Sequence, residues 1–231
     1  VELGLLHPPP ATAVVAHALA LASTPPDAWP YAACEGCDSS ETVFGHIWAH
    51  FSERWHTLPN EIRQCLGASP LLLCGAHFVR PSRVFRSVFA SCQPLLQPTG
   101  ALTSTPPPSE AVLSGIGVRD EPSLRDLSAL LRELPTECSG CRLAPSERRA
   151  LVACLRLATD FGGFTADGAF AIPTQSGQAQ RCDRCAINDA PWLLARMRPG
   201  VVHLASEAID PPLLAKLKLR PLSAVVKVAL D

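Results

Sequence analysis

The sequence predicts an α+β chain, mostly helical, in which helices are followed by small antiparallel hairpins and the plan occurs as two tandem modules, residues 1–105 and 106–231. Three observations predict it. Apolar residues recur at helical spacing over 11–22, 40–57, 59–67, 123–134 and 145–159. Two apolar runs, "SPLLLCGAHFVRPSRVF" and "AFAIPTQSGQAQRCDRCAI", each break at a glycine and resume, the pattern of strand, turn and strand. Finally, an apolar step followed by proline and a new amphipathic helix occurs three times. It begins at Leu3-Gly4-Leu5-Leu6-His7-Pro8, at Ile116-Gly117-Val118-Arg119 with Pro122, and at Leu217-Lys218-Leu219-Arg220-Pro221. The repeat length, roughly 100 residues, is that of a domain and not of a short solenoid unit.

Each element has a local reason. "ATAVVAHALALA" is helical over 11–22, and Val43, Ile47, Phe51 and Trp55 form one apolar face of the next helix. Gly75 turns the first hairpin, and Arg80-x-x-Arg83 follows it. Ser123 with Asp126 resembles a capping pair at the start of a helix over 123–134. Pro145 with Ser146-Glu147 suits the start of the following helix, with Leu151, Leu155 and Ala158 as its apolar face. Asp160-Phe161-Gly162-Gly163 reads as its stop. Gly177 turns the second hairpin, with Arg181-x-x-Arg184 beyond it. The 23 prolines fall mostly between these elements, where they punctuate rather than break.

Composition narrows the function classes. Hydrophobic content of 47% against 18% charged residues belongs to a folded, soluble chain. A net charge of -1 with scattered Lys and Arg lacks the basic patch expected for nucleic acid or an anionic membrane. The apolar run at 11–22 is too short to span a bilayer and lacks the basic start of a secretory signal. Both ends read as cut from something longer. Ten cysteines in 231 residues do not by themselves imply a disulfide framework. Reduced thiols and a cytoplasmic location are the expectation.

Three Cys-x-x-Cys pairs invite a metal reading: Cys34/Cys37, Cys138/Cys141 and Cys182/Cys185. The best zinc candidate joins Cys34 and Cys37 to His46 and His50, which stand one helical turn apart. The separation of Cys37 from His46 is short for a zinc-finger hairpin, and both histidines equally suit the solvated face of their helix. The expectation is therefore no cofactor, with zinc as the alternative. Cys182 is expected at an exposed site and Cys185 in a buried strand. No G-x-S-x-G elbow occurs, and no pair of carboxylates has a spacing that demands acid-base work, so no catalytic residue is assigned.

Arg80, Arg83, Arg119, Arg181, Arg184 and Arg220 recur at matching places in the two modules. They could line an anion groove, but the favoured reading is structural: guanidinium groups tying adjacent loops. In "INDAPWL", Asn188 and Asp189 are expected to form an Asx-type turn, and Trp192 to fold back as an apolar core plug.

"GVRDEPSLRDLSALLREL", "FVRPSRVF", "INDAPWL", "VVHLA" and "LAKLKLRPLSAVV" resemble the repeat regions of sacsin and sacsin-like proteins. The resemblance runs with gaps over nearly the whole chain and lies in the order of the pieces. The Ala/Pro/Arg/Cys-rich composition departs from animal members. The resemblance implies an α+β segment that follows an ATPase domain of the 90-kDa heat-shock type. It also implies a chaperone-like role, with adjacent ATPase repeats, client proteins and 70-kDa heat-shock chaperones as partners. The ATPase itself is not expected here, because only Asp160-Phe161-Gly162-Gly163 and Asp167-Gly168 approach its phosphate-cradling turns. The expected function is a non-catalytic scaffold and interaction segment; the alternative is a zinc-stabilised binding module, and a hydrolase with an unrecognised site ranks third.

Overall fold

A computed structural model of the chain describes residues 9–24, 28–29, 39–162, 169–194, 196–197 and 202–226. The fold is α+β, built of helices and very short strands. Two units emerge from the packing: Val1–Val88 with Leu96–Glu121, and Phe89–Leu95 with Pro122–Asp231. The division after Glu121 replaces the one expected after residue 105. Val112, Leu113, Ile116 and Val118 belong to the same buried cluster as the first helices, so the segment up to Glu121 completes unit 1.

In unit 1, α1 (Ala11–Ala22), α2 (Ser40–Arg54) and α3 (Asn60–Ala68) supply about half of the core. The Ser39 side chain accepts from the Thr42 amide and starts α2, which buries Phe44, Ile47, Trp48 and Phe51. Strands β1 (Leu72–Cys74) and β2 (His77–Val79) pair antiparallel about Gly75, whose φ of +60° suits a residue without Cβ. A 3-10 turn, Pro81–Arg83, leads into β3 (Val84–Phe85), which pairs in parallel with β4 (Gln97–Pro98). Helix α4 (Glu110–Gly115) is capped by Ser109 and closes at Gly117, where the Val118 amide returns to the Leu113 carbonyl.

Unit 2 follows the same order. Helix α5 (Leu124–Glu137) opens on a cap in which the Ser123 amide and hydroxyl both donate to the Asp126 carboxylate. It continues through Pro135, past the end the sequence suggested, and the Cys138 amide still reaches the Leu134 carbonyl. Helix α6 (Pro145–Asp160) is followed by Gly162 at a φ of +111°. Strands β5 (Ala171–Pro173) and β6 (Ala179–Arg181) form the hairpin, with Gly177 in its turn. After the 3-10 turn Cys182–Arg184 come β7 (Cys185–Ile187), the single-turn α7 (Pro191–Leu194) and β8 (His203–Leu204). Helix α8 (Pro211–Leu217), capped by Asp210, precedes β9 (Arg220–Pro221) and α9 (Leu222–Val225).

The hairpins are antiparallel as expected, but β3–β4 and the β8-β7-β9 sheet are parallel. Strands of two or three residues carry no alternation from which the sequence could show them. The two units correspond residue for residue at several places. Phe85 bridges Arg119 as Ala186 pairs with Arg220, each position displaced by 101. Gly117 and Lys218, also 101 apart, both hold positive φ where a helix ends. No helix among the described residues is long and apolar enough to cross a membrane.

Candidate functional site

The zinc candidate is not gathered by the described residues. Cys34 and Cys37 lie outside them. His46 is exposed on α2, and His50 is half-buried with the Arg54 guanidinium 2.5 Å from Nδ1. Burial first, and the neighbouring Arg54 charge second, hold the His50 pKa below 6.5. The ring nitrogen nearest a cation is thus occupied by a guanidinium donor. Among the described residues no group of three or more His, Cys, Asp or Glu converges.

Cys138 is half-buried and Cys141 exposed in the turn joining α5 to α6. Cys182 and Cys185 are both buried, which corrects the exposed site expected for Cys182. The 3-10 turn tucks its first residue inward: Cys182 holds the place that the buried Pro81 holds in unit 1. Burial pushes the Cys182 thiol up to about 11 and the Cys185 thiol up to about 12. Both are protonated at neutral pH, the wrong form for a nucleophile or a free ligand.

The recurring arginines differ in exposure. Arg80, Arg119, Arg184 and Arg220 are exposed, Arg83 and Arg181 half-buried. Arg181 grips Asp183, its neighbour on the 3-10 turn, through two bonds of 3.0 and 2.6 Å. Arg119 lies 5.9 Å from the Phe85 ring centroid. Arg86, which the spacing does not single out, ties loops together. Its guanidinium reaches Asp120 at 2.9 Å, Ser114 at 3.0 Å and Glu110, joining the exit of β3 to α4 and to the end of unit 1. Those partners are 24 to 34 residues away, so local spacing gives no sign of them.

In "INDAPWL" the expected architecture is corrected twice. Asp189 makes no local Asx turn; it accepts from the Ser223 amide at 3.0 Å and from the Ser223 hydroxyl, tying β7 to the start of α9. Those two donors draw its pKa below the usual carboxylate range. The Asn188 Oδ1 atom is buried without a hydrogen-bond partner. Trp192 is 68% exposed and is no plug. On a single helical turn one apolar side chain can face inward, and Leu193 takes that place. It packs with Ala186, Ala190 and Leu222 and leaves Trp192 and Leu194 to solvent.

Unit 1 has a matching turn after its own central strand. The Cys92 amide donates to the Phe89 carbonyl at 2.8 Å, as the Leu193 amide donates to Ala190 at 3.0 Å. The turn Ala90–Cys92, however, belongs to unit 2. It packs on α6, where Cys92 is fully buried beside Cys154. The Cys154 neighbour draws the Cys92 pKa below the ordinary thiol value, while Cys92 and burial push that of Cys154 up. Ser91 beside it borders a cleft with Arg149, Val152, Ala153 and Arg156 of α6. In unit 2 the corresponding turn leaves an aromatic ring and a leucine, Trp192 and Leu194, at the surface.

No family model, curated protein or solved structure matches the chain. The fold defines an α+β protein of two helix-and-hairpin units.

Proposed function

We propose that the chain is a non-catalytic scaffold and interaction segment of a large sacsin-like chaperone, acting in the cytoplasm. In that role it links and positions heat-shock-type ATPase repeats and offers surface to client proteins. Support comes from one observation above all: the same succession of hairpin, 3-10 turn, central strand and capped helix occurs in both units, displaced by 101 residues at the central strand. Units that share a plan and follow one another along the chain suit a spacer between other domains. The order of sequence pieces resembling sacsin repeats points the same way. The test is calorimetric titration of the 231-residue chain with magnesium and ATP. The expected result is no saturable heat and no phosphate release; micromolar binding would overturn the proposal.

A further inference from the structure

We propose that Cys92 and Cys154 are a redox staple: a peroxide joins them in a disulfide that fastens the segment Phe89–Leu95 to α6, and a dithiol releases it. The two residues stand 62 positions apart in the chain. The 3-10 turn Ala90–Cys92 packs on α6, and both cysteines are free thiols, 0% exposed, within unit 2. Each is the other's principal influence: Cys154 draws the Cys92 pKa down, and Cys92 pushes that of Cys154 up. Such an effect requires the two sulfurs to be adjacent. Cys182 and Cys185, also buried, instead turn their sulfurs to backbone carbonyls, Leu217 at 3.8 Å and Arg181 at 3.2 Å. A buried thiol by itself is a small hydrophobe. Two that meet from separate elements are the starting materials of a cross-link.

An oxidant has a way in. A cleft of about 320 Å³ is lined by Ser91, Val152 and Ala153, together with Arg149 and Arg156. Ser91 is the chain neighbour of Cys92 and Ala153 that of Cys154, so the cleft reaches the residues adjoining both thiols. Cys92, the more acidic of the pair, is the attacking group. Its thiolate bonds to one peroxide oxygen and the O–O bond breaks, giving Cys92 sulfenic acid. The hydroxide released takes up the proton that Cys92 gave off and leaves as water. The Cys154 sulfur then attacks the Cys92 sulfur, the S–O bond breaks, and hydroxide departs with the Cys154 proton as a second water. Two thiols are oxidised to one disulfide, and one peroxide is reduced to two waters. A dithiol reverses the bond by exchange and becomes the disulfide itself. Val88 and Leu96, on either side of the stapled segment, belong to unit 1. Oxidation thus fixes in unit 2 a stretch of chain that unit 1 sends there, and in a reducing compartment the dithiol is the resting form.

The experiment treats the reduced 231-residue chain with hydrogen peroxide, then unfolds it, blocks free thiols with iodoacetamide and digests it with trypsin without reductant. The tryptic peptides concerned, residues 87–119 and 150–156, hold one cysteine each, so a linked pair identifies the bond. The expected result is that linked pair, lost on treatment with dithiothreitol. The oxidised chain should also melt about 10 °C higher, as closure of a loop this long restricts the unfolded state. Cys154→Ala should abolish both effects and leave a Cys92 sulfenic acid that dimedone labels. The proposal is overturned if Cys92 and Cys154 stay free thiols under peroxide that oxidises the exposed Cys141, or if Cys92 is found linked to a different cysteine. A linked pair that forms only when peroxide is added in urea overturns it equally, because the folded chain would then not bring the two sulfurs together.

Discussion

Gly45→Ala is expected to destabilise unit 1, against the usual direction of a glycine-to-alanine change inside a helix. Gly45 is buried in the second turn of α2, where a Cβ would lie 1.8 Å from the Thr105 carbonyl oxygen, 2.1 Å from its carbon and 2.6 Å from the Pro106 nitrogen. All three are backbone atoms, so no side chain can swing aside. The Thr105 amide also donates to the Glu41 carbonyl at 3.0 Å, which pins this segment to the first turn of the helix. Restoring a normal contact demands a separation of about 1.5 Å between α2 and residues 105–106. That movement strains the Glu41 bond, worth about 1 kcal/mol. It also disturbs Phe44 and Trp48, both 0% exposed, adding an overpacking cost of about 3 kcal/mol. The gain in helix propensity returns only about 1 kcal/mol. The net loss is about 3 kcal/mol. Urea unfolding followed by tryptophan emission reads it, since Trp29, Trp48 and Trp55 all lie buried in unit 1. A variant as stable as the parent, or more so, would show that the close approach is not real and that propensity governs the site.

Two further outcomes are expected. Alkylation by iodoacetamide at mildly alkaline pH, mapped by mass spectrometry, should label the exposed Cys141 well before the buried Cys182 and Cys185, since burial raises the latter two thiols to about 11 and about 12. Equal rates for Cys182 and Cys141 would contradict that burial. For His50, NMR titration should place the pKa below 6.5, and Arg54→Gln should raise it by removing the adjacent positive charge. Because the folded-state pKa is the lower one, the unfolded chain binds more protons between the two values. The contribution of His50 to stability is therefore lost as pH falls through that window and recovered as pH rises. A pKa indifferent to Arg54 would contradict the contact.

Much of the helical framework was legible because its causes are local. The Ser123/Asp126 cap, proline at the start of α6, and the glycine turns at Gly75 and Gly177 act through bonds and dihedrals spanning a few residues. The recurrence of Arg119 at Arg220 was legible too, because a repeat needs only comparison along the chain. The features that failed share a different origin. Trp192, Leu193 and Leu194 are three adjacent apolar residues on one turn, and nothing within the turn says which faces inward. Ala186 and Leu222 decide for Leu193. Cys182 is buried because the 3-10 turn folds its first residue under, and Asp189 finds its donors 34 residues away at Ser223. Arg86 likewise becomes a tie only when α4 and Asp120 are brought to it. The sequence by itself determined the helices, the hairpin turns and the doubling of the plan, through short-range hydrogen bonding and periodic burial. The tertiary structure alone decided the parallel strand pairs, the passage of Phe89–Leu95 into unit 2 and the exposure of Trp192. Each of these depends on contacts between residues distant in the chain, whose energies no local pattern encodes.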